Sequence, residues 1–102
     1  MKYKNSNTTK CEIIPTKKFL KQYKKIKKQG KNLNKLKEVI ELLANGESLG
    51  YAYRDHALLN YSNDSGYREC HIEPDWLLIY QLVDEKLILY LIATGSHSDL
   101  FK

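Results

Sequence analysis

Two long apolar runs near the C-terminus constrain this 102-residue chain more than any other feature. The runs are Trp76–Val83 and Leu87–Thr94, and a polar tripeptide, Asp84–Lys86, separates them. Two strands of this length with so short a connection are expected to pair as an antiparallel hairpin. The hairpin brings the start of the first strand next to the end of the second. Side chains that are distant in sequence therefore meet at one edge of the sheet, and we predict the functional site at that edge.

Composition indicates one compact domain. A chain of 102 residues with a hydrophobic fraction of 42% is large enough for one modest core and too small for two. No apolar run approaches the roughly 20 residues of a membrane span, and the N-terminus lacks the apolar segment of a signal peptide. We therefore expect a cytoplasmic protein in which Cys11 and Cys70 are buried thiols. Residues 1–10 are polar and aperiodic, which predicts a flexible extension before a single domain over residues 11–102.

Two helices are predicted after a first short strand. The strand candidate is Cys11–Ile14, and the helices cover Lys17–Gln29 and Leu33–Ala44. Thr16 and Asn32 precede the helices and are good N-cap residues, and an Asn-Gly pair ends the second helix as a left-handed C-cap. Each helix has one apolar face, so the two helices are expected to form a hairpin whose apolar side packs against a sheet.

Another strand is predicted just before these two apolar runs, and its side chains alternate between two different faces of the sheet. In Tyr67–Ile72, the side chains of Glu69 and His71 point to one face, and those of Arg68 and Cys70 point to the other. The order of elements is strand, helix, helix and three strands. The predicted fold class is therefore α+β, with a helical hairpin packed on one face of an antiparallel sheet. The other face is expected to be partly open and to carry the histidines and tyrosines.

Lysines cover the rest of the first helix. The formal net charge of +5 favours a polyanionic partner. A charged helix is most often only a solvated face, but seven lysines between positions 17 and 28 exceed what solubility needs. We expect this face to contact phosphates. The lysines assigned to it are Lys17, Lys18, Lys21, Lys24, Lys25 and Lys28.

Three motifs resemble the YafQ-type toxins of the RelE superfamily. They are YRDHAL at 53–58, YRECHIEPDWLLIY at 67–80 and TGSHSDLF at 94–101. The resemblance runs from about residue 11 to residue 101. It implies a RelE-like fold and a ribosome-dependent mRNA endonuclease that an antitoxin encoded beside it holds inactive. The functional positions of the family map onto His56, His71, Asp75, Trp76, His97 and Phe101.

The chemistry of RNA cleavage suits these residue types. RNA supplies its own nucleophile, the 2′-hydroxyl, so we expect no cofactor and no metal. A base must remove the hydroxyl proton, an acid must protonate the 5′-oxygen, and cations must stabilise the phosphorane. Histidines suit both proton roles near neutral pH, and Asp75 could act as a base or hold a histidine in one tautomer. The expected products are a 2′,3′-cyclic phosphate and a 5′-hydroxyl.

Substrate binding is assigned to aromatic and cationic side chains. Trp76 and Phe101 offer flat faces on which unpaired bases can stack. Trp76 also begins an apolar strand, which fits a position in the core. Arg54 is a candidate phosphate ligand. We interpret Glu69 and Glu73 as structural and paired with Arg68. A zinc site formed by the three histidines matches no familiar ligand spacing, and we do not favour it.

One position departs from the family pattern. The family usually has an arginine before T-G-[ST]-H, and that arginine is expected to bind the scissile phosphate, whereas this chain has Ala93. The intact histidine set favours an active toxin that binds mRNA and the ribosome. Ala93 favours a weakened or inactive homologue that mainly binds the antitoxin and takes part in repression of its own operon. A third interpretation is that Ala93 is an engineered substitution.

The expected partner in every case is an acidic antitoxin of the DinJ or RelB type. DNA is expected to be bound only through the complex with the antitoxin, and no membrane is expected as a partner.

Overall fold

The computed structural model describes residues 9–58 and 66–101. The elements are β1 Glu12–Pro15, α1 Lys17–Lys28, α2 Leu33–Ala44, β2 His56–Ala57, β3 Tyr67–Glu73, β4 Trp76–Val83, β5 Ile88–Gly95 and α3 His97–Phe101. This mixed architecture confirms the predicted α+β class. The extension predicted for residues 1–10 lies mostly outside the described residues. Within these ranges, no helix is long and apolar enough to cross a membrane.

The strands form one sheet in the order β1-β5-β4-β3-β2. Strands β2, β3, β4 and β5 pair antiparallel, which confirms the predicted C-terminal hairpins. The sheet is wider than predicted. Strand β2 was missed because two residues are too short to show periodicity. Strand β1 joins the other edge, parallel to β5, and the two helices supply the long connection that parallel pairing requires.

The predicted caps of both helices are present. The Thr16 hydroxyl accepts a hydrogen bond from the Phe19 amide at 3.1 Å and donates one to the Ile92 carbonyl at 2.9 Å. The Asn32 side chain accepts from the Asn34 amide at 3.1 Å. Because Thr16 also bonds to a residue of β5, its side chain both begins α1 and holds that helix against the sheet.

The main core lies between the helical hairpin and the sheet. Its buried residues are Cys11, Ile13, Phe19, Ile26, Leu36, Val39, Ile40, Leu43, Ala44, Cys70, Ile72, Trp76, Leu78, Tyr80, Leu89 and Leu91. Both cysteines are buried free thiols, as predicted. Burial raises the pKa of the Cys70 thiol to about 12, so this sulfur stays protonated and behaves as a small apolar side chain.

A β-bulge reverses the faces of β5 near its end. Ile79 pairs with Ala93 while Tyr80 pairs with Leu91, which leaves Ile92 as an extra residue in β5. Before the bulge, Leu91 packs toward the helices. After the bulge, Ala93 belongs to a second cluster on the opposite face. The buried members of that cluster are Leu77, Ile79, Ala93 and Leu100.

Helix α3 was not predicted, although its start signal is in the sequence. The Asp99 amide donates to the Ser96 hydroxyl at 3.2 Å, and the Ser96 amide donates to the Asp99 carboxylate at 3.1 Å, which forms a capping box. Lys25 on α1 forms an ion pair with Asp99 at 3.0 Å. Gly95 has φ +153°, and a Cβ there would lie 3.2 Å from Asp99, so the turn into α3 requires glycine.

Asp99 makes the docking of α3 sensitive to pH. Lys25, followed by the Ser96 amide and hydroxyl, lowers the pKa of Asp99 in the folded state. The ionised Asp99 carboxylate therefore contributes fully to the free energy of unfolding above its unfolded-state pKa of about 3.9. The contribution is lost as the pH falls through the lower folded-state pKa. We expect Asp99→Asn to reduce the free energy of unfolding modestly at neutral pH, because the side chain is exposed.

The difference between wild type and Asp99→Asn should shrink to zero as the pH falls through this range, measured by urea unfolding at each pH. Asp84→Asn, in the turn between β4 and β5, is the control for removing one carboxylate elsewhere. A difference of constant size down to the lowest pH would contradict the assigned role of the ionised carboxylate.

Candidate functional site

The sheet face opposite the helical hairpin collects the predicted histidines. His56 on β2 pairs with Glu69 on β3, which in turn pairs with Ile79 on β4. Two residues further along β3, His71 pairs with Leu77. The alternation of β3 therefore places Glu69 and His71 on the same face, next to His56, as the sequence pattern predicted for the open face.

His56 and Glu69 form a close pair. The His56 Nε2 lies 3.0 Å from Glu69 Oε1, and its Nδ1 lies 3.0 Å from the Ala57 carbonyl. Each ring nitrogen of His56 therefore faces an oxygen that can accept a hydrogen bond, and a ring that carried both protons could donate to the two of them. Glu69 is only 5% exposed, and its Oε2 has no hydrogen-bond partner in the part of the chain that the structure describes. A carboxylate this deeply buried needs its cation, and the two side chains act as one unit.

His71 is set up differently. Its Nδ1 lies 3.4 Å from the Pro74 carbonyl, which can only accept. When Nδ1 carries the proton for this contact, Nε2 is left with a free lone pair. His71 is therefore arranged to accept a proton, whereas His56 is arranged to carry one.

The same side chains can hold a metal ion. The ligand atoms of His56, Glu69 and His71 all lie within 4.8 Å of one another. Among the described residues, these three form the cluster of histidine, cysteine and carboxylate side chains that could hold a metal ion. Histidine ligands of metals usually donate their other N–H to a carbonyl or carboxylate, as both rings do here. The set differs from the three-histidine zinc site considered from sequence, because Glu69 takes the place of His97. A bound metal would occupy the lone pairs that proton transfer needs, so the two uses exclude each other.

Asp75 and His97 meet through the backbone. The Asp75 carboxylate accepts a hydrogen bond from the His97 amide at 2.9 Å. Asp75 thus anchors the start of α3, and the expectation that it holds a histidine ring in one tautomer is wrong for this geometry. The His97 ring packs against the Phe101 ring, with centroids 4.8 Å apart. Phe101 is 40% exposed, so its ring is available to a base.

Two predicted substrate contacts lie inside the protein. Trp76 and Ala93 are both 0% exposed. The Trp76 indole donates to the Thr94 hydroxyl at 3.1 Å within the main core. The prediction that Trp76 stacks on a base is therefore wrong, and the core interpretation of this residue is confirmed. Ala93 cannot touch substrate either, because Leu77, Ile79 and Leu100 surround it.

The predicted partners of Arg68 are also corrected. Arg68 Nε bonds to Asp55 at 3.2 Å, and Glu73 bonds to Lys35 at 2.9 Å. Glu69 cannot reach Arg68 because neighbouring residues of a strand point to opposite faces. Glu69 is the functional residue that sequence reasoning missed. Its position two residues before His71, on the open face, was the available signal.

The lysine face lies beside this site. All six assigned lysines are exposed. A groove of about 570 Å³ is lined by Lys18, Lys21, Gln22, Lys24, Lys25 and Lys28. Gln22 accepts a hydrogen bond from the Thr94 amide at 2.9 Å, and Lys25 bonds to Asp99, so the groove runs to the β5–α3 junction that carries His97. The ion pair with Asp99 reduces the share of Lys25 in any phosphate contact.

Comparison with known proteins identifies the family of this chain. Residues 11–102 match the family model described as the bacterial toxin of type II toxin–antitoxin system, YafQ. The mRNA interferase toxin YafQ of Escherichia coli (strain B / BL21-DE3) is 44% identical over 84 residues, which cover 81% of this chain and 87% of that protein.

Solved structures show the same fold. The crystal structure of the Escherichia coli DinJ–YafQ complex contains a chain that superposes with a TM-score of 0.82 at 41% identity, covering 90% of this chain and 99% of that one. A crystal structure of a metal-bound toxin from Helicobacter pylori gives a TM-score of 0.82 at 40% identity, covering 89% of this chain and 99% of that one. The chain described here belongs to the YafQ family of bacterial toxins of type II toxin–antitoxin systems.

Proposed function

We propose that this protein is a toxin that cleaves mRNA on the ribosome by acid–base chemistry at the open sheet face. The observation that carries the proposal is the convergence of the His56–Glu69 pair and His71, with its free Nε2, on a sheet surface open to substrate. The Escherichia coli relative is named an mRNA interferase, which supports RNA as the substrate class.

The three histidines divide the chemistry. His71 Nε2 accepts the proton of the 2′-hydroxyl, whose oxygen attacks the adjacent phosphorus. The imidazolium of His56, fixed by Glu69, stabilises the negative charge that builds on the phosphorane. His97 donates a proton to the departing 5′-oxygen as the P–O bond breaks, and Asp75 holds its backbone in place. The products are a 2′,3′-cyclic phosphate and a 5′-hydroxyl, and no metal takes part.

The surfaces around the site suit a message held by ribosomal RNA. The lysine groove of α1 offers an array of exposed ammonium groups that can neutralise phosphates. Phe101 offers the exposed ring next to His97 for stacking on a base. We assign ribosomal RNA to the lysine groove and mRNA to the histidines.

The second candidate function is antitoxin binding with little or no cleavage. Ala93 favours it, because the position where the family pattern has an arginine holds a buried methyl group. In this case the protein would act through its complex with the antitoxin and through repression of the operon. Expression without antitoxin separates the two candidates, because an active toxin arrests growth and an inactive homologue does not.

Removal of the proposed base should abolish most cleavage. We expect His71→Gln to lower the rate on ribosome-bound mRNA by about 10²- to 10⁴-fold. Glu69→Gln should lower it as well, because it removes the charge that holds the imidazolium of His56. Glu85→Gln is the control for the loss of one carboxylate, since Glu85 is exposed in the turn between β4 and β5.

The measurement is single-turnover cleavage in the presence of a chelator, with product ends identified by mass spectrometry. Wild-type protein that binds antitoxin but leaves the message intact would favour the second candidate function. Unchanged cleavage by His71→Gln would contradict the assigned base.

Charge removal on α1 should weaken ribosome binding without affecting the fold. We expect the triple substitution of Lys21, Lys24 and Lys28 to glutamine to lower affinity and to reduce the slope of log K against log salt by about 0.7 for each phosphate that is no longer neutralised. Lys25 is left in place because it pairs with Asp99. The control replaces Lys10, Lys37 and Lys86, which are exposed elsewhere, and has the same net charge. Equal effects of the two triple variants would show that ribosome binding depends on net charge and not on the lysine groove.

The antitoxin should stabilise the toxin by mass action. The related DinJ–YafQ structure supports a protein partner, and an acidic segment that folds on binding would suit the lysine groove. A partner at 100 times its Kd adds about 2.7 kcal/mol to the free energy of unfolding. For a domain of this size, that corresponds to a rise in melting temperature of about 10–20 °C. Failure of the acidic neighbouring gene product to bind at micromolar concentration would contradict the toxin assignment in both forms.

A further inference from the structure

The site needs a phosphate-binding cation, and position 93 cannot supply one. Ala93 is 0% exposed, and its surroundings, Leu77, Ile79 and Leu100, are apolar. Both ring nitrogens of His56 already contact acceptors, Glu69 and the Ala57 carbonyl, so His56 can act on the phosphorane only through space and has no N–H left to bind a phosphate oxygen. A guanidinium that binds a phosphate through two parallel hydrogen bonds must therefore come from another element.

Two cations near the histidine pair already have anionic partners. Lys35 pairs with Glu73, and Arg68 pairs with Asp55. Arg54 is different, because its side chain makes no hydrogen bond or ion pair within residues 9–58 and 66–101 of the structure. Arg54 lines a cavity of about 590 Å³ together with His71, and it also lines a second cavity, of about 730 Å³, together with His56. Arg54 is exposed and thus shares one cavity with each of these two histidines of the proposed site.

We propose that Arg54 binds the RNA phosphate in place of the arginine missing at position 93, and that Asp55 positions it. The inference rests on the proposed function, and it names the residue that completes the site. Arginine suits the role because its planar fork matches two phosphate oxygens and it is always charged.

Asp55 ties the turn that carries Arg54 to the sheet. One oxygen of Asp55, Oδ1, accepts from the Tyr80 hydroxyl at 2.7 Å and from Arg68 Nε at 3.2 Å. Tyr80 lies in the middle of β4 and is almost completely buried. Burial, and then the hydrogen bond to Asp55, raises the pKa of Tyr80 above its usual range, so the hydroxyl remains a donor. The residue next to Arg54 is therefore fixed to two strands of the sheet.

The backbone of Arg54 is itself unusual. Its φ of 48° and ψ of 45° lie in the left-handed region, which disfavours side chains other than glycine and asparagine. Residues held in such conformations are concentrated at functional sites, where the surrounding structure maintains the strain. Leu87, with φ 53°, has the same conformation in the turn between β4 and β5. That turn is at the opposite end of β4 from the β3–β4 turn, so Leu87 provides a matched control.

The experiment compares Arg54→Gly with Leu87→Gly. Each substitution relieves the left-handed strain and removes a side chain that is exposed, so the melting temperature should not fall in either variant. Arg54→Gly should lower kcat/KM for ribosome-bound mRNA by about 10²-fold, the effect of losing one preorganised donor. It should also weaken binding to ribosomes whose message is 2′-O-methylated and cannot be cleaved. Leu87→Gly should leave both measurements unchanged, and Arg54→Lys should restore part of the binding.

A double-mutant cycle tests the positioning role of Asp55. Tyr80→Phe removes the donor to Asp55 and should lower kcat in the wild-type background. If the hydroxyl acts through Arg54, the same substitution should cost little further activity in the Arg54→Gly background. Fully additive losses would overturn the positioning role and show that Tyr80 acts on stability or on another group.

The outcomes separate this inference from the proposed function. If wild-type protein cleaves mRNA and Arg54→Gly behaves like Leu87→Gly, the phosphate role of Arg54 is wrong and the proposed function stands. If wild-type protein neither cleaves mRNA nor binds the methylated complex, the proposed function is wrong and the inference falls with it. A loss confined to Arg54→Gly, in both cleavage and binding, is the result expected.

Discussion

The extra residue in β5 determines which face of the sheet the last side chains of that strand point to. Without the bulge at Ile92, the alternation of β5 would place Ala93 toward the helices and Thr94 toward solvent. The observed reversal lets Thr94 bond to the Trp76 indole inside the core and to Gln22 on α1. It also directs the chain past Gly95 into α3, whose Leu100 covers the second cluster. The position of His97 beside Asp75 follows from this one irregularity.

Sequence reasoning found the regular elements because their signals are local. The N-caps at Thr16 and Asn32 and the two apolar runs of the hairpin follow from caps, turns and periodicity. The bulge carries no local signal, since it arises from packing between strands. Trp76, which was assigned to base stacking from the family resemblance and its flat ring, is a core residue.

The sequence analysis predicted the histidines of the candidate site but not the groups that hydrogen-bond to them. His56 and His71 converge as expected, but their partners are Glu69 and the backbone carbonyls of Ala57 and Pro74. Such partners depend on strand register, and the register of a two-residue strand such as β2 cannot be derived from its own sequence. A buried carboxylate beside a histidine costs free energy unless both are paired. The pair with His56 meets this requirement for Glu69, and the proposed function gives the pair a chemical use.

In the proposed function, proton transfer and phosphate binding belong to different elements of the fold. Glu69 is paired with strands on both sides, and His71 is paired with Leu77 of β4, so the sheet positions both side chains before substrate arrives. Arg54, whose side chain has no anionic partner in the described residues, lies on a turn that Asp55 ties to the sheet. In the proposed function, the strand positions the base, and the bonds of Asp55 position the turn so that Arg54 can meet the phosphate without rearrangement. Because position 93 is closed by packing, the proposed phosphate ligand comes from outside β5.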